Sequence, residues 1–139
     1  MTAAQPTMAS DLRHDLVGCW HNQLSKADKA ELAKIPGSVA DSTLCLKRNG
    51  ETTAVATVGG GQIGKVMFEI EGMDGAGHYY LSNGRLIVNG LYAFDSRGPL
   101  SCVARMPSPD ELELTDCIDG FFKELSAAPS RSYLRERKQ

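Results

Sequence analysis

Leu16-Val17-Gly18-Cys19-Trp20-His21-Asn22-Gln23 decides how the rest of the chain is read. Successive side chains of a strand point to opposite faces, so Trp20 takes one face while Cys19 and His21 share the other. Upstream, Ser10 to Asp15 suffices for one helical turn, and residues 1–9 read as a disordered lead. Downstream, Ser25-Lys26-Ala27-Asp28 resembles a capping box with Asp in the Glu role. Ala27, Ala30 and Ala33 with Leu32 and Ile35 form a modest helical stripe, which Pro36-Gly37 stops. A short helix therefore separates the first two strands.

Beyond that helix the chain reads as strand after strand. Thr43 to Lys47 and Thr52 to Val58 flank Asn49-Gly50, a type I′ hairpin signal. Lys65 to Glu71 reads as a strand ended by the glycine-rich Gly72 to Gly77. His78 to Leu81 and Arg85 to Val88 flank Asn83-Gly84, a second such signal. Leu91 to Phe94 turns at Asp95 to Pro99 into Leu100 to Met106. Pro107-Ser108-Pro109-Asp110 turns into Glu111 to Cys117, with Leu112 and Leu114 on one face and Glu113 and Thr115 on the other. Phe121 to Leu125 and Ser132 to Arg137 close the chain around Ala128-Pro129. Turn signals every 8–12 residues or so indicate an all-β sandwich or barrel. One phase of alternation predicts Val55, Ile70, Leu86, Val88, Leu112 and Leu114 facing inward.

The 139 residues make one domain, 1–139, long enough to bury a core unaided. With 42% apolar and 23% charged residues the composition is that of a globular protein. A net charge of −2 gives no electrostatic case for nucleic acid or an anionic membrane. The basic cluster Arg131 to Lys138 is interrupted by Glu136. No apolar run approaches the roughly 18 residues of a membrane span. Met1 to Ser10 lacks the basic and apolar regions of a signal peptide. Its Thr, Ala, Gln, Pro and Ser content matches the start of a mature exported chain with a Met added in front.

Four cysteines permit three pairings, and none lies in a C-x-x-C motif. Cys102 and Cys117 are symmetric about the Pro107 to Asp110 turn, so a regular hairpin sets them opposite each other, within disulfide range. Cys19 and Cys45 then pair across the first two strands. Two bridges imply a periplasmic or secreted protein. The opposing reading is four reduced, buried thiols in a cytoplasmic one.

Leu16-Val17-Gly18-Cys19-Trp20 matches the Leu-x-Gly-x-Trp with which bacterial lipocalin-like domains begin. Tyr80-Leu81-Ser82-Asn83-Gly84-Arg85-Leu86 resembles their mid-chain hairpin, and Tyr133-Leu134-Arg135 their closing Tyr-x-Arg strand. The resemblance covers most of the chain. It implies a single antiparallel up-and-down β-barrel of about eight strands, with Trp20 buried at its closed end and Arg135 lying over the indole, a contact with cation–π character. Two features depart from the family pattern. Thr115-Asp116-Cys117 lacks the arginine of the family's Thr-Asp-x-Arg element, and Gly59 to Gly64 is unusually glycine-rich. These argue against a standard transport lipocalin. A small secreted barrel that inhibits bacterial metalloproteases shares the early Gly-x-Trp and a disulfide.

Catalytic and metal chemistry find little support. Gly59-Gly60-Gly61-Gln62-Ile63-Gly64-Lys65 fits a phosphate-binding frame until Val66 stands where Ser or Thr would hold magnesium. Val66 to Ile70 also reads as strand, where a phosphate cradle needs a helix N-terminus. A barrel loop is expected there. His14, His21 and His78 lie in separate segments without metal-ligand spacing, so no metal or other cofactor is expected. Cys19 and His21 share a face but not the geometry of nucleophile and base. Asp95, Asp116 and Asp119 read as solvated turn residues.

The aromatic concentration lies in His78-Tyr79-Tyr80 and Leu91-Tyr92-Ala93-Phe94. In a barrel one alternate set points inward, Tyr80 with Tyr92 or Tyr79 with Phe94. Tyr80, Tyr92 and Phe94 are the candidate ligand-binding residues, and ordinary core packing is the competing reading. An aromatic content of 6% disfavours a large stacking cavity. The expected function is a non-enzymatic binding protein holding a small apolar ligand in or at the mouth of the barrel. The alternatives are a secreted interaction protein, such as a protease inhibitor, and an enzyme on a calycin-like barrel.

Overall fold

Helix α1 (Ala9–Leu16) runs into strand β1 (Gly18–Gln23), followed by α2 (Lys26–Ala33), β2 (Ser38–Leu46) and β3 (Glu51–Gly60). A small hairpin of β4 (Gln62–Ile63) and β5 (Val66–Met67) precedes β6 (Ile70–Ser82) and β7 (Arg85–Asn89). The remaining strands are β8 (Leu100–Ser108), β9 (Glu111–Asp119), β10 (Ser126–Ala128) and β11 (Arg131–Arg135). The computed structural model describes residues 9–89, 100–119, 126–128 and 130–136. The hydrogen-bonded order β9-β11-β1-β2-β3-β6-β7-β8 returns to β9, so eight antiparallel strands close a barrel in meander order. β10 pairs with the far end of β9. This is the expected all-β architecture, including the short helix between the first two strands.

The two ends of the barrel differ in their connections. At one end the turns are short: Lys47 to Gly50 joins β2 to β3, Asn83-Gly84 joins β6 to β7, and Pro109-Asp110 joins β8 to β9. At the other end α2 and the β4–β5 hairpin are longer connections. Asn83 at φ +51° and Gly84 at +78° form the expected type I′ turn. The Asn49-Gly50 turn differs, because only Gly50 has a positive φ. The Gly50 N–H donates to Lys47 O and the Lys47 N–H to Glu51 O, giving a longer loop than type I′.

Helix α1 blocks the short-turn end. Leu12 and Leu16, one helical turn apart, are buried there with Trp20, Leu44, Leu46 and Leu112. The indole Nε1 donates to Leu16 O at 2.8 Å, satisfying the one polar atom of a fully buried Trp20.

Register sets which side chains enter the core. Leu44 pairs with Trp20 on one side and Ala54 on the other, so Thr52, Ala54 and Ala56 carry the buried side chains of β3. Val55 therefore points outward and is 50% exposed, contrary to expectation. A one-residue change of phase moves every side chain to the opposite face. Ile70 is also outward, paired with Gly59 at the end of β6. Leu86, Val88, Leu112 and Leu114 are buried as expected. Gly72 to Gly77 does not end a strand. β6 runs through it for 13 residues, in unbroken register with β3 from His78 opposite Glu51 to Ile70 opposite Gly59.

Both expected disulfides form, Cys19–Cys45 and Cys102–Cys117. Cys19 and Cys45 are directly opposed across β1 and β2. The second pair needs a correction of register. Beside the turn Ser108 pairs with Glu111, the register that opposes Cys102 to Cys117. An irregularity between Arg105 and Ser108 then shifts the strands so that Val103 pairs with Thr115 and Ala104 with Leu114, which would set Cys102 against Asp116. A bulge restores the pairing of Ser101 with Ile118. Asp116, at φ +48°, absorbs the extra residue, and Cys117 turns inward beside Cys102.

Candidate functional site

Arg135 organises the closed end. Its guanidinium carbon lies 4.2 Å from the Trp20 ring centroid. Nη1 donates to Val17 O at 2.8 Å, Nη2 to Asp15 O at 2.6 Å and Nε to Pro109 O at 3.0 Å. The cation thus covers the indole and caps carbonyls at the C-terminal end of α1, where positive charge is favoured. A cleft of about 590 Å³ opens beside it, lined by residues including Leu12, Asp15, Met106 and Arg135. Three nitrogens of its most polar lining group are already engaged by backbone, so this end reads as structure.

A second arginine clamp was not legible beforehand. Arg85 on β7 donates from Nε to Ser101 Oγ at 2.7 Å and from Nη2 to Asp116 O at 2.6 Å. Its Nη1 approaches the Asp116 carboxylate at 3.2 Å. An arginine thus reaches this aspartate across the intervening strand β8. The signal was Arg85 beginning the strand after Asn83-Gly84, but its partner is 31 residues away.

Inside the barrel one polar atom stands out. The Tyr133 hydroxyl is buried and has no partner in hydrogen-bonding geometry among the described residues. Burial pushes its pKa above the ordinary 10.0, and the charge of Arg131 draws it part of the way back. Arg131, on the same inward phase of β11, lowers it by its charge and by a side-chain interaction too loose for a formed hydrogen bond.

The mouth lies at the opposite end from Trp20. There α2, β2, β3 and the start of β6 enclose an open cleft of about 810 Å³. Leu24, Leu32, Ile35, Ala40, Val58 and Phe68 supply its apolar surface. Ala40 pairs with Val58 and Val58 with Glu71, a row on the same phase as the buried Leu44, Ala54 and Tyr79. The cleft is therefore continuous with the inner wall of the barrel. On β2 and β3 that wall carries small residues here, Ala40, Ser42 and Ala56. Asp28, Glu31, Glu69 and Glu71 also line it. The α2 side forms because the Ser25 Oγ accepts the Asp28 N–H at 3.1 Å, the expected cap, and because Pro36-Gly37 turns the chain into β2. The Gly59 to Gly64 segment is not a loop alone. β3 runs to Gly60, and Gln62 and Ile63 pair with Met67 and Val66 around Gly64 at φ +59°. A hairpin in this position leaves no helix N-terminus for a phosphate.

The sequence-predicted residues fall in different places. Trp20 and Arg135 meet as expected. Tyr80 does not reach the interior: it is 47% exposed on the outward phase of β6, opposite Ile87. Its neighbour Tyr79 is the inward ring, with its hydroxyl donating to Lys47 O and Arg13 over its face at 5.7 Å. Tyr92 and Phe94 lie outside the described residues. The helical stripe of the sequence held the sign of this surface: Leu32 on α2 and Ile35 just after it are half-buried on the cleft, although no residue of α2 is fully buried.

His21 and Asp41 form a contact of 2.5 Å between Nε2 and Oδ1 on the outer face. Cys19, the nucleophile such a pair would need nearby, is bridged to Cys45 and has no thiolate to offer. Among the described residues no three His, Cys, Asp or Glu side chains converge as a metal site. No helix among them is long and apolar enough to cross a membrane. The sequence matches no protein-family model, and no curated protein aligns with it.

Proposed function

We propose that this protein is a lipocalin-like binding protein that holds a small apolar ligand at the mouth of its barrel. One observation carries the reading: an open cleft of about 810 Å³ with apolar walls, continuous with the inner face of the barrel. Its size falls within the range of small-molecule sites, roughly 300–1,000 Å³. Burial of an alkyl or ring body against Leu32, Ile35, Val58 and Phe68 supplies the driving force. The cleft, not the Tyr80 face, is the ligand-binding surface in this reading. The two disulfides support work in an oxidising compartment, the periplasm or the cell exterior.

Titration with the neutral fluorescent probe N-phenyl-1-naphthylamine tests it. Saturable enhancement is expected for the wild type and its loss for Ala40→Trp, which fills the cleft from the inner wall. A wild type without saturable enhancement, or an Ala40→Trp variant that binds undiminished, overturns the assignment.

A second reading rests on a separate observation. Ile63, Val66 and Met67 of the β4–β5 hairpin are 51%, 58% and 77% exposed. Exposed apolar side chains grouped on one hairpin suit a secreted interaction protein such as a protease inhibitor. Probe binding that is absent while a partner is held through Met67 would favour that role.

A further inference from the structure

We infer that the ligand of the mouth cleft is a cationic amphiphile, an apolar body carrying an ammonium or similar cation. The inference rests on the binding reading above and adds the charge of its ligand. Of the fourteen residues lining the cleft, four are acidic and none is basic. Glu31 is engaged by Lys34 at 2.9 Å. Asp28, Glu69 and Glu71 form no ion pair among the described residues. The position of these three matters more than their number. Glu71 continues the inward phase of β6 and stands in the register row of Ala40 and Val58, so its carboxylate borders the apolar wall. Glu69, next to Phe68 in the chain, lines the same cleft, and so does Asp28 from the first turn of α2.

A cation brought here meets carboxylates supplied by both α2 and β6 while its chain lies on Leu32, Ile35 and Phe68. The low-dielectric wall strengthens that attraction relative to open water. A carboxylate- or sulfate-headed amphiphile with the same chain meets repulsion at each of those positions. Zwitterionic and neutral ligands gain only the apolar term. The carboxylates are solvent-accessible, so the preference weakens as salt rises.

A head-group series with a constant decyl chain decides the matter by displacement of N-phenyl-1-naphthylamine, each compound kept below its micelle concentration. Decyltrimethylammonium is expected to displace the probe on the order of tenfold more tightly than decanoate, with decyl maltoside between them, since each exposed ion pair contributes modestly. In the E69Q/E71Q variant the gap between cation and anion should shrink to about threefold or less, with the thermal midpoint confirming the fold. Probe binding with equal affinities across the series, or with decanoate favoured, overturns the inference and leaves the binding reading standing. No probe binding in the wild type removes the binding reading itself. A tetralysine peptide that displaces the probe as well as the decyl cation would transfer the site to a basic protein partner and overturn the inference.

Discussion

A β-carbon built on Gly18 would lie 2.6 Å from Nη1 of Arg135, closer than such contacts occur. The two residues are 117 positions apart, yet the guanidinium reaches α1 only by crossing the space where a side chain at 18 would stand. Gly18 also sits at φ +140°, which L side chains rarely adopt. The glycine of the Gly-x-Trp element is thus explained by the arginine that ends the barrel.

Gly18→Ala should therefore destabilise the protein by about 1–3 kcal/mol from backbone strain, with further loss as Arg135 is displaced. Urea unfolding followed by tryptophan fluorescence measures it. A change under about 0.5 kcal/mol would contradict the geometry.

Arg135→Met removes donors to Asp15, Val17 and Pro109 carbonyls and should cost about 2–4 kcal/mol, since charged hydrogen bonds contribute roughly 1.5–3 kcal/mol each and the losses overlap. Arg135→Lys keeps the charge over Trp20 but not the planar fork, so it should fall between wild type and Met. Hydrogen exchange should rise first in α1. Uniform exchange across the barrel, with α1 unaffected, would show that the clamp does not hold the helix.

Thiol titration of the unfolded, unreduced protein should find no free cysteine. In the chain-entropy account, breaking Cys102–Cys117, with a separation of 15, costs about 3 kcal/mol. Breaking Cys19–Cys45, with a separation of 26, costs slightly more, about 3.5 kcal/mol. Four free thiols would remove the argument for an oxidising compartment.

Alkaline pH should weaken the fold through Tyr79 and Tyr133. Burial raises both above the ordinary 10.0. Below that value folded and unfolded chains both keep the phenolic protons, and the contribution is fully present. Above it the unfolded chain loses them first, the native state holds more protons, and stability falls as pH rises through the folded values. Urea midpoints at pH 8, 10 and 11 should drop in that order above 10, and Tyr133→Phe should flatten the drop. Because its buried hydroxyl has no partner in hydrogen-bonding geometry among the described residues, Tyr133→Phe at pH 7 should be neutral or slightly stabilising. A loss above about 1 kcal/mol would reveal a partner for that hydroxyl.

Tyr80→Ala should leave stability within about 0.5 kcal/mol of wild type and probe binding unchanged, as expected of an exposed side chain away from the cleft. A large loss of binding would return the ligand site to the face first read from the aromatic pattern.

Local signals in this chain carried the all-β class, the Asn83-Gly84 turn, the capped helix after β1 and the Cys102–Cys117 pair. Each depends on a few neighbouring residues or on symmetry about one turn, and short-range sterics and hydrogen bonding enforce it. The contact of Trp20 with Arg135 was legible only through resemblance, because nothing local brings residues 20 and 135 together. Phase was a tertiary matter. Val55 and Ile70 have the apolar character of inward residues, but pairing with β2 gives the inner face of β3 to Ala54 and Ala56. The same rule sends Tyr79 inward and Tyr80 outward, since a strand's two faces are identical until a neighbour's register chooses between them. The mouth cleft came last of all. Its residues come from a helix, three strands and the link after a hairpin, and only the tertiary packing of α2 and the hairpin link beside β2, β3 and β6 gathers Asp28, Glu69 and Glu71 around one apolar wall.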